Sequence, residues 1–261
     1  MIKKILCVFL VFSMVSYASL SEKIASLTPQ MPWGKSIVKM RQNAQKQETV
    51  ILLHGLWRSK YAMTKLQNAL VEDGYKVVNV GYPSNTKSLE KISESITAEI
   101  NQHVKPGEKV SFVTHSLGGV VARDLLMKPN AWDVQRVVML APPNQGSKVV
   151  QVLDKYKCSW VLGPVSNDLL SKNMKKMPAS LPKDIELGVI MGTDSRLRIF
   201  KNVLSGRNDG IVTVEGGKML GMKEFQTTDN NHTFIMLDNM VISATRNFIA
   251  KGSFDMVTAQ K

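Results

Sequence analysis

The sequence predicts an α/β fold, a mostly parallel sheet with helices on both faces. Two observations predict it. Short β-branched runs alternate with amphipathic stretches from Glu48 to Gly252, the rhythm of strand, crossover helix and next parallel strand. The stretch VSFVTHSLGGVVARDLL, Val110 to Leu126, passes from an apolar strand pattern through a Ser and two glycines into a helical one. Such sheets present their reacting groups at the carboxyl ends of strands. A chain of 261 residues, 44% hydrophobic and 21% charged, suits one domain of this kind with a small insertion.

The elements follow in order. ETVILLHG, Glu48 to Gly55, reads as a buried strand. Tyr61 to Gly74 has apolar residues near helical spacing and ends at a glycine suited to a C-cap. Tyr75 to Pro83 is the next strand. Ser88 can cap a helix with Leu89, Ile92, Ile96 and Ile100 on one face, which Pro106-Gly107 stops. EKVSFVT is a strand and LGGVVARDLLM a helix. Val134 to Pro143, Ile185 to Thr193 and the shorter Lys223 to Thr228 are further strands, and Phe234 to Gly252 reads as one long closing helix.

Between Asn144 and Pro182 the rhythm fails. Leu162, Leu169, Leu170, Met174 and Met177 stand among several Lys. Residues 144–182 are expected to lie over the strand ends, as a cap or lid or as a helix pair packed on the core. Residues 19–47 read as a lead-in with a helical middle, residues 48–252 as the domain, and 253–261 as a tail.

The first residues follow a different logic. Lys3 and Lys4 precede the apolar run Ile5 to Val15, and Ser16-Tyr17-Ala18 places small residues where a signal peptidase reads. The run is shorter than the ~20 residues a membrane-spanning helix needs. A cleavable signal peptide of residues 1–18 is therefore expected, with cleavage after Ala18 and a periplasmic or secreted product. Cleavage would remove Cys7 and leave Cys158 alone.

The charge is +13, and cleavage would lower it to +11, 32 basic against 21 acidic residues. Such a surface favours anionic partners, and transient contact with an anionic membrane surface is expected. No Lys/Arg block or aromatic-interleaved basic strip points to nucleic acid. The protein is expected to be a monomer.

The chemistry starts at Ser116. A serine hydroxyl is a weak nucleophile without a base and exposure. A strand-turn-helix elbow exposes it and aims the amide of the next residue, Leu117, at the place where an oxyanion forms. The usual pattern is Gly-x-Ser-x-Gly; here Thr114 takes the first position, which crowds the turn. LLHGLW ends an earlier strand, and the amide of Leu56 can be the second oxyanion donor, with His54 structural. Asp209, in SGRNDGIVTVEGG, follows a later strand, and His232, in TDNNHTFIM, follows the last one. The order Ser, Asp, His is the one expected for this sheet. Of the four His, His103 ends an exposed helix, His115 sits inside the elbow and His54 lies at the oxyanion strand, leaving His232 as the base. Asp194 competes with Asp209 for the acid, as it too follows a strand; Asp229 is too close to the base.

Four segments, VILLHGLW, VTHSLGGVVAR, LAPPNQGS and NDGIV followed by the His232 segment, resemble the α/β-hydrolase superfamily, its lipase-like members in particular. The last three are similar to those of bacterial triacylglycerol lipases and of the inositol-deacylase group. The resemblance covers Glu48 to Lys251. It implies the α/β-hydrolase fold and a serine esterase acting on lipid or acyl esters. It implies a Ser116–His232–Asp209 triad, an acyl-enzyme intermediate, and an oxyanion held by the amides of Leu56 and Leu117. It implies no cofactor and no catalytic metal; relatives sometimes carry a structural calcium, for which no dense carboxylate cluster argues here. Acyl transfer, amide or thioester cleavage on the same triad, and a non-catalytic binding role are the alternatives.

Overall fold

The computed structural model describes residues 36–42, 44, 46–195, 200 and 203–255. The expected signal peptide and its cleavage point, most of the lead-in and residues 256–261 lie outside the described residues.

A seven-stranded sheet organises the chain: β1 (Ile37–Lys39), β2 (Glu48–Leu53), β3 (Lys76–Val80), β4 (Lys109–His115), β5 (Asp133–Leu140), β6 (Glu186–Gly192) and β7 (Met222–Thr228). The order across the sheet is β1-β3-β2-β4-β5-β6-β7. β1 pairs antiparallel to β3; every other pair is parallel. Central parallel strands are covered on both faces, which is why they read as unbroken apolar runs: Val50 to Leu53 and Val137 to Leu140 are completely buried.

Helices α1 (Thr64–Glu72), α2 (Leu89–Asn101), α3 (Leu117–Leu126) and α7 (Asn239–Lys251) cover the sheet, and the shorter α4 (Lys148–Lys155), α5 (Ser171–Met174) and α6 (Val214–Gly217) lie in its connections. α2 buries Leu89, Ile92, Ile96 and Ile100, the face its spacing predicts. Burying each such side chain contributes ~1.5–3 kcal/mol. Among the described residues no helix is long and apolar enough to cross a membrane.

Two expectations change, and one element is added. The expected helical middle of the lead-in lies largely outside the described residues; the described end of the lead-in carries a short strand, β1, fixed by pairing Ile37 to Lys39 with Val77 to Asn79. Ser88 occupies the N-cap of α2 but its side chain makes no capping bond; the Asp168 carboxylate accepts the Leu89 N–H at 3.1 Å instead. The closing helix is broken: Ile235–Leu237 is a 3₁₀ turn, and the Asp238 carboxylate then accepts the N–H groups of Met240 and Val241 to start α7.

Residues 144–182 are packed rather than detached. Leu162, Leu169, Leu170 and Met174 belong to the main apolar core and Met177 packs against it. The Ser147 N–H bonds to Leu169 O at 3.1 Å, and Gly163 lies so close to Asn85 that a Cβ there would overlap the Asn85 carbonyl. Asn85 follows β3, so this segment sits at the carboxyl ends of the strands.

Candidate active site

β4 lies between β2 and β5, with Thr114 beside Leu53 and Met139. The chain leaves its carboxyl end at Ser116, whose backbone is at φ 51°, ψ −119°. A left-handed φ at a residue with a side chain costs ~1–3 kcal/mol and persists only where its surroundings impose it. Here the Ser116 N–H is held by Leu140 O and the Ser116 O by the Gly119 N–H, both at 2.9 Å. Gly118 lets α3 close on β2: a Cβ there would sit 2.5 Å from Leu53 O and 2.9 Å from His54 O. Thr114 is completely buried, and its hydroxyl donates to Val138 O at 3.4 Å. The turn accepts its branched side chain because the strain falls at Ser116, not at position 114.

The structure brings Ser116, His232 and Asp209 into one hydrogen-bonded line. His232 Nε2 lies 2.8 Å from Ser116 Oγ, and His232 Nδ1 lies 2.8 Å from Asp209 Oδ2. A carboxylate only accepts, so Nδ1 carries the ring proton and Nε2 accepts from the serine hydroxyl. Asp209 is completely buried. Its other oxygen, Oδ1, accepts from the Ile211 N–H at 3.0 Å and the Val212 N–H at 2.7 Å. The two loops are also joined by the backbone, His232 N–H to Asp209 O at 3.0 Å. Gly192, ending β6, makes room for them, since a Cβ there would overlap Asn230 O and sit 2.9 Å from the Asp209 Cβ. Asp194 bonds through its N–H to Asn230 O at 3.1 Å, and Asp229 accepts from Thr193 Oγ1 at 3.1 Å. Neither carboxylate is the one bonded to His232.

Sequence reasoning missed the part played by His115. Its side chain is buried, and Nε2 donates to the His232 backbone oxygen at 2.8 Å. Burial holds its pKa well below the ordinary histidine value, and the neighbouring His232 lowers it further, so the ring is neutral. Gly55 is required beside it: a Cβ would sit 2.7 Å from His115 Nδ1 and 3.2 Å from the Ser116 Cβ. The Gly55–Leu56 turn therefore lies directly against the serine. Leu56 follows Gly55 in this turn, and Leu117 is the first residue of α3, directly after the serine. The turn is closed by Arg58 N–H to Gly55 O at 3.2 Å, with Trp57 at φ 56° and its N–H bonded to Ser84 Oγ at 3.1 Å.

His54 supports this turn from beneath. Its ring stacks on Tyr82 at 4.0 Å between centroids, Nδ1 donates to Gly55 O at 2.9 Å, and the Tyr82 hydroxyl donates to His54 O. Burial lowers its pKa from 6.5 to about 4. The folded state therefore binds this proton less readily than the unfolded chain, and the stabilisation is complete above pH 6.5 and is lost as pH falls toward about 4. The loss is on the order of 3 kcal/mol over that window. Urea midpoints measured across it should fall with pH, and less steeply in His54→Asn; equal slopes would contradict this.

Asn144, in LAPPNQGS, ties the strand end to both flanks. Its Nδ2 donates to Gly217 O at 2.8 Å, and its carbonyl accepts from the buried Arg123 at 2.8 Å. Arg123 also donates to Pro178 O at 2.9 Å. Among the described residues no group of three or more His, Cys, Asp or Glu is placed to hold a metal ion.

Comparison with known proteins agrees with this architecture. Residues 43–140 match a family model described as "Putative serine esterase (DUF676)". No curated protein matches the chain. Among solved structures, the mature form of the Bacillus licheniformis lipase BlEst2 is similar at TM-score 0.69 and 19% identity, over 86% of this chain and 100% of that one. Its propeptide form gives 0.66 and 18% over 79% of this chain, which spans about half, 51%, of that longer one. The phospholipase PlaB from Legionella pneumophila gives 0.60 and 16%, over 80% of this chain and 58% of that one. The chain has the α/β-hydrolase fold, and residues 43–140 carry its match to a serine esterase family.

Proposed function

We propose that this protein is a serine hydrolase that cleaves carboxylic esters, with lipid or acyl esters as its substrates. The observation that carries the reading is the unbroken line from Ser116 Oγ through His232 to the buried Asp209, with Ser116 held in the left-handed elbow. In this reading Ser116 Oγ bonds to the ester carbonyl carbon as its proton passes to His232 Nε2. The carbonyl electron pair moves onto oxygen, where the amides of Leu56 and Leu117 receive it; losing one such donor typically costs ~10²–10³ in rate. Asp209 holds the ring and stabilises the imidazolium. The intermediate collapses, the ester C–O bond breaks and His232 returns the proton to the leaving alcohol. Water, deprotonated by His232, then releases the acid from Ser116.

The test is a panel of p-nitrophenyl esters of short, medium and long acyl chains, with a fluorophosphonate probe in parallel. Hydrolysis and a single phosphonyl group on Ser116 are expected. A folded protein that cleaves none of them, or labelling on another serine, would overturn the reading. His115→Phe keeps a ring in place but leaves the His232 carbonyl without its donor. It should lower kcat about tenfold with KM little changed, because only the alignment of His232 is disturbed. An unchanged kcat would remove His115 from that role.

Export is part of the proposal, supported by Lys3-Lys4, the apolar run and Ala18. Protein recovered outside the cytoplasm should begin at Ser19.

A further inference from the structure

α4 ends in a corner built differently from two other helix ends of this chain. The Lys157 N–H bonds to Asp154 O at 2.8 Å and the Cys158 N–H to Leu153 O at 2.7 Å, the paired bonds of a Schellman cap. α1 closes with the same pair, Gly74 to Val71 and Tyr75 to Leu70, both 3.1 Å. There the left-handed residue is glycine, at φ 88°, and after α7 it is Gly252 at φ 76°. At the end of α4 it is Lys157, at φ 55°. A residue with a side chain is disfavoured in this conformation, so a lysine stands where glycine would fit more easily.

The corner also holds two of the most exposed large apolar side chains, Tyr156 at 68% and Trp160 at 60%. Lys155 and Lys157 flank Tyr156; the acid nearby, Asp154, accepts from Ser159 Oγ at 3.1 Å. Residues 144–182 hold six Lys against Asp154 and Asp168, and Asp168 is engaged at the start of α2. The inner side of α4 places Val149 and Leu153 in one cluster with Ile211, whose N–H binds Asp209. α4 thus packs against the loop that carries Asp209.

We propose that this corner docks the protein on a lipid bilayer bearing acidic head groups, with Trp160 and Tyr156 at the depth of the head groups and Lys155 and Lys157 against their charge. Tryptophan and tyrosine favour that interface, and basic side chains beside it are attracted by anionic lipid. The purpose of such docking rests on the lipid-ester reading; the binding does not, and it can be measured without turnover.

The experiment is co-sedimentation with vesicles of phosphatidylcholine alone or mixed with phosphatidylglycerol, using full-chain Ser116→Ala protein so that no lipid is consumed. Binding should require phosphatidylglycerol and weaken with salt. Lys157→Gly relieves the backbone while removing the charge, so it should keep or raise the urea midpoint while weakening binding about fivefold. Tyr156→Ser with Trp160→Ser should weaken it further. Affinity unchanged in both variants, or equal affinity for the two vesicle types, would overturn the proposal. Each variant is also made with Ser116 intact and assayed on a soluble short-chain ester. Turnover there with no vesicle binding sinks the docking surface alone, and binding with no turnover sinks the esterase alone.

Discussion

Ser116→Ala should lower kcat/KM about 10⁴- to 10⁶-fold on every ester the wild type cleaves. The hydroxyl is the group His232 Nε2 is aligned on, 2.8 Å away, and an alanine methyl can neither form the acyl bond nor give up a proton. The residual rate would come from the amides of Leu56 and Leu117, which remain in place. The same position makes a second, opposite expectation. Ser116 stands at φ 51°, and that strain is present with or without the hydroxyl. Ser116→Gly should therefore be as inactive as Ser116→Ala yet more stable to urea unfolding, by about 1 kcal/mol. Hydrolysis and urea unfolding of both variants check this. A rate close to wild type in Ser116→Ala would remove the serine from the chemistry.

Most of the architecture is legible in the sequence because buried parallel strands and one-sided helices leave simple signatures. Val50 to Leu53 could hardly be anything but a covered strand, and the spacing of Leu89, Ile92, Ile96 and Ile100 fixes the buried face of α2. β1 is not legible. It has three residues, two of them exposed, and is defined by pairing with β3 rather than by any burial of its own. The start of α7 is hidden for a related reason: Phe234 to Leu237 are apolar enough to continue a helix, but Asp238 captures the first free amides and sets the boundary. The three site residues are legible because each follows a different strand in the expected order. The bond from His115 to the His232 carbonyl joins residues 117 apart and exists only once the sheet has brought two loops together. The left-handed Lys157 escapes too, since the sequence signal for such a cap is glycine.

Asp209→Asn should cost about 10⁴ in kcat/KM, and Asp194→Asn far less, since its carboxylate is not the one bonded to His232. The difference follows from what surrounds Asp209. One oxygen accepts from His232 Nδ1 and the other from the N–H groups of Ile211 and Val212; every neighbour is a donor. An asparagine must turn its NH₂ toward one of these sets. Turned toward His232, it forces the ring proton from Nδ1 to Nε2, where it blocks acceptance of the serine proton. Turned toward the loop, it sets donor against donor in a site with no access to water, and the loop that carries it must shift. Either arrangement removes the base without removing its side chain, so KM should change far less than kcat. Kinetics of the two asparagine variants side by side decide which acid serves His232. A loss confined to Asp194→Asn would mean that the loop carrying Asp209 rearranges when substrate binds, since the 2.8 Å contact of the free protein would then not be the one used in the reaction.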